Sequence, residues 1–293
     1  MRLHHVNKPT SGSVGPLLVA SILALAPPAF GSDAVVVNEM VPAGKSEPTA
    51  LLAEPRIFHT ATLLPSGDVL IVGGLGEPGY DAGDPGNRPL ATGEQWDPTS
   101  GMFTIVGTLA EARVGHSATQ LSDGQVLFAG GYGGADANEK LDTVEVWDPR
   151  VGRFAPAGAL SKVRAEHTAT LLADDRVLIV WGSGGRGNAT AEVFDALSGQ
   201  SSPAGQLAEP RFLHTATRLL DGRVVVIGGL HFRELTGMDS IEVWDPKTGE
   251  FSSGGSLPEP RSFHTTTLLP DGRVMIAGGF GESGLLTDVV IWD

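Results

Sequence analysis

Two chemically able residue types recur in this chain at a fixed spacing. Arginine stands three residues before histidine five times, at Arg56/His59, Arg113/His116, Arg164/His167, Arg211/His214 and Arg261/His264. Five imidazoles gathered in one place would hold a metal ion, and five guanidiniums would bind an anion. A carboxylate follows in four copies, at Glu94, Glu145, Glu192 and Glu242. Residues present in every copy are explained more simply as scaffold, satisfied by hydrogen bonds and ion pairs within and between repeats. Neither a metal nor a cofactor is expected on this reading.

Chemistry specific to this chain is sought where the copies differ. Between each Arg and His lie Ile57-Phe58, Val114-Gly115, Ala165-Glu166, Phe212-Leu213 and Ser262-Phe263. Together with Tyr132, His231, Phe232, Arg233 and Phe280 from nearby loops, they would form an aromatic face. Such faces stack on sugars and on apolar side chains. The competing reading has the phenylalanines packed sideways between repeats. Trp181 stands where other copies have glycine, and marks either a binding site or a drifted copy. Tyr80, Asp81, Asp84, Asn87 and Arg88 lie in the longest loop. The oxygens of Asp81, Asp84 and Asn87 suit Ca²⁺, but the pattern is not that of an EF-hand, and a solvated turn-rich loop explains it better. Glu166, His231, Arg233 and Glu234 are available as acid–base groups, with no sequence sign that they converge.

The second copy shows which elements carry these residues. Residues 113–121 alternate polar and apolar, the period of a strand. Asp123-Gly124 follows, a signal for a type I′ hairpin with both central residues at positive φ. Residues 125–129 form a second, apolar strand ending at Gly130-Gly131. After a variable loop, 143–148 read as a third strand. A Pro149-x-x-Gly152 turn leads to a fourth at Phe154. Each copy is therefore four antiparallel strands, named A to D in chain order, with strand A starting near 56, 113, 164, 211 and 261. The histidines recur about every fifty residues, the signature of a unit packed against its own copies.

At this point the chain resembles the kelch repeat. The Gly-Gly pairs (Gly73-Gly74, Gly130-Gly131, Gly228-Gly229, Gly278-Gly279), Glu-x-Trp-Asp-Pro at 94–98, 145–149 and 242–246, and Gly-x-Phe ending at Phe103, Phe154 and Phe251 carry the likeness over residues 50–293. The period is too long for WD40, and Gly-His occurs once, at Gly115-His116. The resemblance implies an all-β propeller in which Trp96, Trp147, Trp244 and Trp292 belong to the repeated framework. It also implies that partners bind the end formed by the B–C and D–A loops. Copper chemistry of the kind known in some kelch enzymes needs a Tyr–Cys cross-link. This chain has no Cys, and its tyrosines are Tyr80 and Tyr132.

Composition narrows the class. Zero cysteines remove disulfides, thiol nucleophiles and zinc–thiolate sites. A net charge of −14 disfavours nucleic acid. Residues 1–31 carry Arg2 and Lys8, a short apolar run and Ala29-Phe30-Gly31, which reads as a secretory signal peptide rather than a membrane span. The propeller would then occupy 34–293, in an exported protein. The fifth copy reaches Trp292-Asp293 without a strand D. The segment with Ala34 to Val37, Pro42 and Gly44 is expected to complete that last blade, which counts five blades; the alternative is a fragment of a larger kelch protein. The expected function is a non-catalytic module binding a protein or glycan, with a sugar mutarotase or epimerase as the alternative.

Overall fold

In the computed structural model of the chain, residues 49–76, 88–135, 137–182, 189–282 and 284–293 are described. They contain strands and no helix. The first sheet comprises Thr60–Leu63, Val69–Val72, Thr92–Asp97 and Met102–Thr108, in chain order and antiparallel throughout. The second repeats this with Ser117–Gln120, Val126–Ala129, Thr143–Asp148 and Arg153–Ala159. The third has Thr168–Leu171, Val177–Val180, Thr190–Asp195 and Gln200–Gln206. The fourth has Thr215–Arg218, Val224–Ile227, Ser240–Asp245 and Glu250–Ser256. The fifth has Thr265–Leu268, Val274–Ala277 and Val289–Trp292, and no strand D among the described residues. Short two-residue ribbons decorate the B–C loops, such as Tyr132–Gly133 with Glu139–Lys140.

Consecutive A strands are neighbours, so the sheets fan out from a common centre. Each gap between sheets is filled by apolar side chains from both. Leu178, Val180 and Val193 of the third sheet meet Val224, Val226 and Trp244 of the fourth. Leu127 and Val144 of the second meet Ile179 and Phe194 of the third, and the other two gaps are built alike. No sheet buries both faces alone, which is why the unit must repeat.

Two expectations shift in the structure. Strand A begins at the residue after His, not near Arg, because the backbone turns sharply between them. The Asp123-Gly124 hairpin is not a two-residue turn. Gly124 takes φ 86°, while the loop closes through Gly124 N–H to Leu121 O and Leu121 N–H to Gln125 O. One left-handed residue suffices there, and Asp175 supplies it in the third sheet at φ 67°. Residues 1–31, expected to be a signal peptide, and residues 34–48 lie outside the described residues.

Each arginine crosses the inner end of its own sheet. Arg113 donates to Gly130 O (2.9 Å), Thr143 O (3.1 Å) and Glu145 (2.7 Å). Glu145 in turn accepts the Ala110 N–H at 2.7 Å, tying in the incoming chain. The same set recurs at Arg56/Glu94/Ala53, Arg164/Glu192/Ser161 and Arg211/Glu242/Ala208. In the fifth sheet Val290 replaces the glutamate, and Asp288 takes Arg261 at 2.7 Å.

Four of the five repeated histidines join two sheets. His116, His167, His214 and His264 place Nε2 within 2.8–3.0 Å of Thr60, Ser117, Thr168 and Thr215 of the preceding sheet. With Nε2 engaged in this way, the imidazoles do not converge. Among the described residues no group of three His, Asp or Glu is placed to hold a metal ion.

Burial, reinforced by the neighbouring arginine, holds these histidines neutral. His167 and His214 fall to about 3, His264 to about 4, and His116 well below its ordinary value. The unfolded chain protonates near 6.5, so stability is complete above that pH and declines as pH falls toward 4. Each histidine contributes up to about 1.4 kcal/mol per pH unit across that window. Glu166, raised to about 7, works in the opposite sense, but it is one group against four. Urea midpoints measured from pH 7.5 to 4 are expected to drop steeply below 6.5; a flat profile between 7 and 5 would contradict the buried-imidazole account.

Candidate functional site

The sharp turn ahead of strand A has the same geometry in all five copies. Phe58, Gly115, Glu166, Leu213 and Phe263, each immediately before a histidine, have φ of 58°, 63°, 58°, 55° and 57°. This is the left-handed region, which costs a non-glycine residue of order 1–2 kcal/mol. The residue varies among Phe, Gly, Glu and Leu while the backbone beneath it does not. They ring the inner end of the A strands, beside the start of the B–C loops: a Cβ on Gly74 would lie 2.5 Å from Ile57 O. Paired bridges lock that contact, as between Val114 and Tyr132 or Ser262 and Phe280.

On this ring Glu166 stands apart. It is 8% exposed, and its Oε1 is buried with no hydrogen-bond partner. Its backbone N–H donates to Gly115 O of the neighbouring sheet at 2.9 Å. Gly115 leaves room beside it, since a Cβ there would meet Tyr132 Cδ2 at 3.5 Å and Glu166 Cγ at 3.8 Å. Tyr132 belongs to an apolar floor with Leu75, Val114, Ala137 and Ala165, against which Ile57 and Phe58 pack. Lys140 Nζ lies 5.9 Å from the centre of the Tyr132 ring. Burial pushes the Glu166 carboxyl up to about 7, opposed by the Lys140 charge. Burial also lowers the Lys140 ammonium, opposed by Glu166. The two are close enough to feel each other and form no ion pair.

The other singled-out residues divide. Phe58 and Phe263 are half-buried on the ring, and Phe280 is exposed beside Ser262. Trp181 and Phe212 do not reach an open face. Both are buried, edge-on to Phe232 at 5.5 Å and 6.5 Å, between the third and fourth sheets. The reason is the position Trp181 occupies. In the first sheet the equivalent Gly73 has no space for a Cβ, which would lie 2.7 Å from Arg113 O. There Gly74 N–H reaches Arg113 O at 2.9 Å, as Gly131 N–H reaches Arg164 O at 2.7 Å. Behind Trp181 the corresponding bond from Gly182 to Arg211 is missing, and the indole fills the widened gap. His231 uses Nδ1 to accept the Glu234 N–H at 3.3 Å, and Arg233 is exposed. No hydrogen bond or ion pair links them to Glu166, so the four acid–base candidates do not form one cluster. Tyr80, Asp81 and Asp84 lie outside the described residues.

Lys140 was not singled out in the sequence, although it sits in the variable B–C loop of the second copy. The shared left-handed turn left one trace there, the glycine at Gly115.

A Kelch motif matches residues 211–258. The structure of YjhT is similar to this fold, with a TM-score of 0.64 and 15% identity over 81% of this chain and 81% of that one. No curated protein matches the sequence. The chain carries a Kelch motif at 211–258 and folds as an all-β propeller with four-stranded antiparallel blades.

Replacing Glu166 by glycine removes both a left-handed side chain and a buried unpaired carboxyl. Against the backbone entropy glycine adds to the unfolded state, a net gain of about 1 kcal/mol is expected at pH 8 by chemical denaturation. A loss of stability would show that the site is framework.

Proposed function

We propose that the protein is a binding module whose ligand surface is the ring of Phe58, Gly115, Glu166, Leu213 and Phe263 with the adjoining B–C loops. The observation that carries this reading is the left-handed backbone retained in all five copies while the residue on it varies among Phe, Gly, Glu and Leu. Strain kept where identity varies fits a surface specified for a ligand. The opposite end consists of short turns with repeated chemistry and offers little to distinguish one ligand from another. Kelch propellers in general support protein binding, and the acidic chain disfavours nucleic acid. The same reading takes residues 1–31 as a signal peptide, so that binding occurs outside the cytoplasm.

A second reading, sugar mutarotation or epimerisation, draws on Glu166, whose carboxyl near 7 suits proton transfer at neutral pH. It requires a second proton-transferring group, and Lys140 is the ionisable neighbour.

Protein and glycan arrays supply candidate ligands for the test. Phe58→Ala and Phe263→Ala are expected to weaken true ligands at least tenfold. Leu197→Ser and Leu220→Ser, exposed on the turn end, should leave them unchanged. The reverse pattern would move the site to the other end. Polarimetry on fresh sugar anomers, abolished by Glu166→Gln, would favour the enzymatic reading instead.

A further inference from the structure

We propose that Glu166 receives the cationic head of an arginine or lysine side chain from a protein ligand, with the half-buried Phe58 flanking its apolar stem. The assignment rests on the binding face described above and deepens it. Glu166 Oε1 is buried and accepts no hydrogen bond, so it lacks a donor that a ligand would bring. A guanidinium or ammonium brings donors and the complementary charge together. The alkyl stem of such a side chain matches the half-buried Phe58 and the apolar floor behind it. The chain's net charge of −14 attracts a basic partner and repels an acidic one.

The charged groups around Glu166 leave this role open. Arg164 and His167, on its own connector, turn away to Glu192 and Ser117. Lys140, from the neighbouring sheet, forms no ion pair with it and competes only at a distance. The Glu166 carboxyl, raised by burial to about 7, also makes the pairing pH-dependent. The cation binds the ionised form, so affinity rises with pH through 7 and falls below it.

The test is calorimetry with N-acetyl-phenylalanyl-arginine amide and its citrulline analogue, which keeps the shape and loses the charge. At pH 8 the arginine peptide is expected to bind and the citrulline peptide to bind at least tenfold more weakly. At pH 5.5 only about 3% of the carboxyl is ionised, so the arginine peptide should weaken by roughly thirtyfold. Glu166→Gln should abolish both the preference and the pH dependence. Equal binding of the two peptides, no binding of either, or binding unchanged in Glu166→Gln overturns the assignment, as does a neutral glycan whose binding Glu166→Gln removes. If the arginine peptide fails while an array ligand remains sensitive to Phe58→Ala and Phe263→Ala, the cation assignment falls and the binding face stands.

Discussion

The buried guanidinium at the inner end of each sheet is the constraint on which the rest depends. Arg113 and its counterparts collect a carbonyl from strand B, a carbonyl from strand C and a carboxylate, in a place water does not reach. Removing one partner of such a pair typically costs about 3–5 kcal/mol, because the other charge remains buried. The glutamate also holds the incoming connector through a backbone N–H, so one ion pair fixes three strand ends and the chain's entry. With the connector anchored on both sides, the residue before histidine has no freedom to leave the left-handed region.

That coupling explains how framework and specificity share a few residues. Arginine and histidine are turned inward, the first into its own sheet and the second into the preceding one. The residue between them is forced outward at the ring. Its side chain is free to vary because none of the framework bonds use it. A carboxyl placed there in a single copy, as Glu166 is, inherits a rigid backbone and a partly desolvated setting without disturbing the fold.

The third copy shows what happens when a framework position changes. Trp181 replaces a glycine whose Cβ would otherwise strike the next sheet's arginine carbonyl, and one bond across that seam is lost. The neighbouring Phe212 and Phe232 pack against the indole and fill the space. Substitution in the framework is thus absorbed by apolar packing, whereas substitution on the ring changes chemistry exposed to a ligand.

The repeat, the strand order within each copy and the kelch resemblance were legible in the sequence, because Gly-Gly, Trp-Asp-Pro and the Arg–His spacing are local patterns. The variable positions were legible for the same reason, including Glu166 and Phe58. The exchange of Asp288 for the glutamate in the fifth copy was not, because which carboxylate reaches Arg261, 27 residues earlier in the chain, is decided only when the strands pair. Nor did residue types tell which aromatics remain accessible. Phe263 and Phe212 look equivalent in sequence, yet they occupy successive positions of the connector, one at the left-handed residue on the ring and one in the gap between sheets. The approach of Glu166 to Tyr132 and Lys140, and the unsatisfied Glu166 oxygen, exist only once two blades meet. Period and turn chemistry are properties of the chain; direction and burial of a side chain are properties of the contact between copies, and only the tertiary structure sets them.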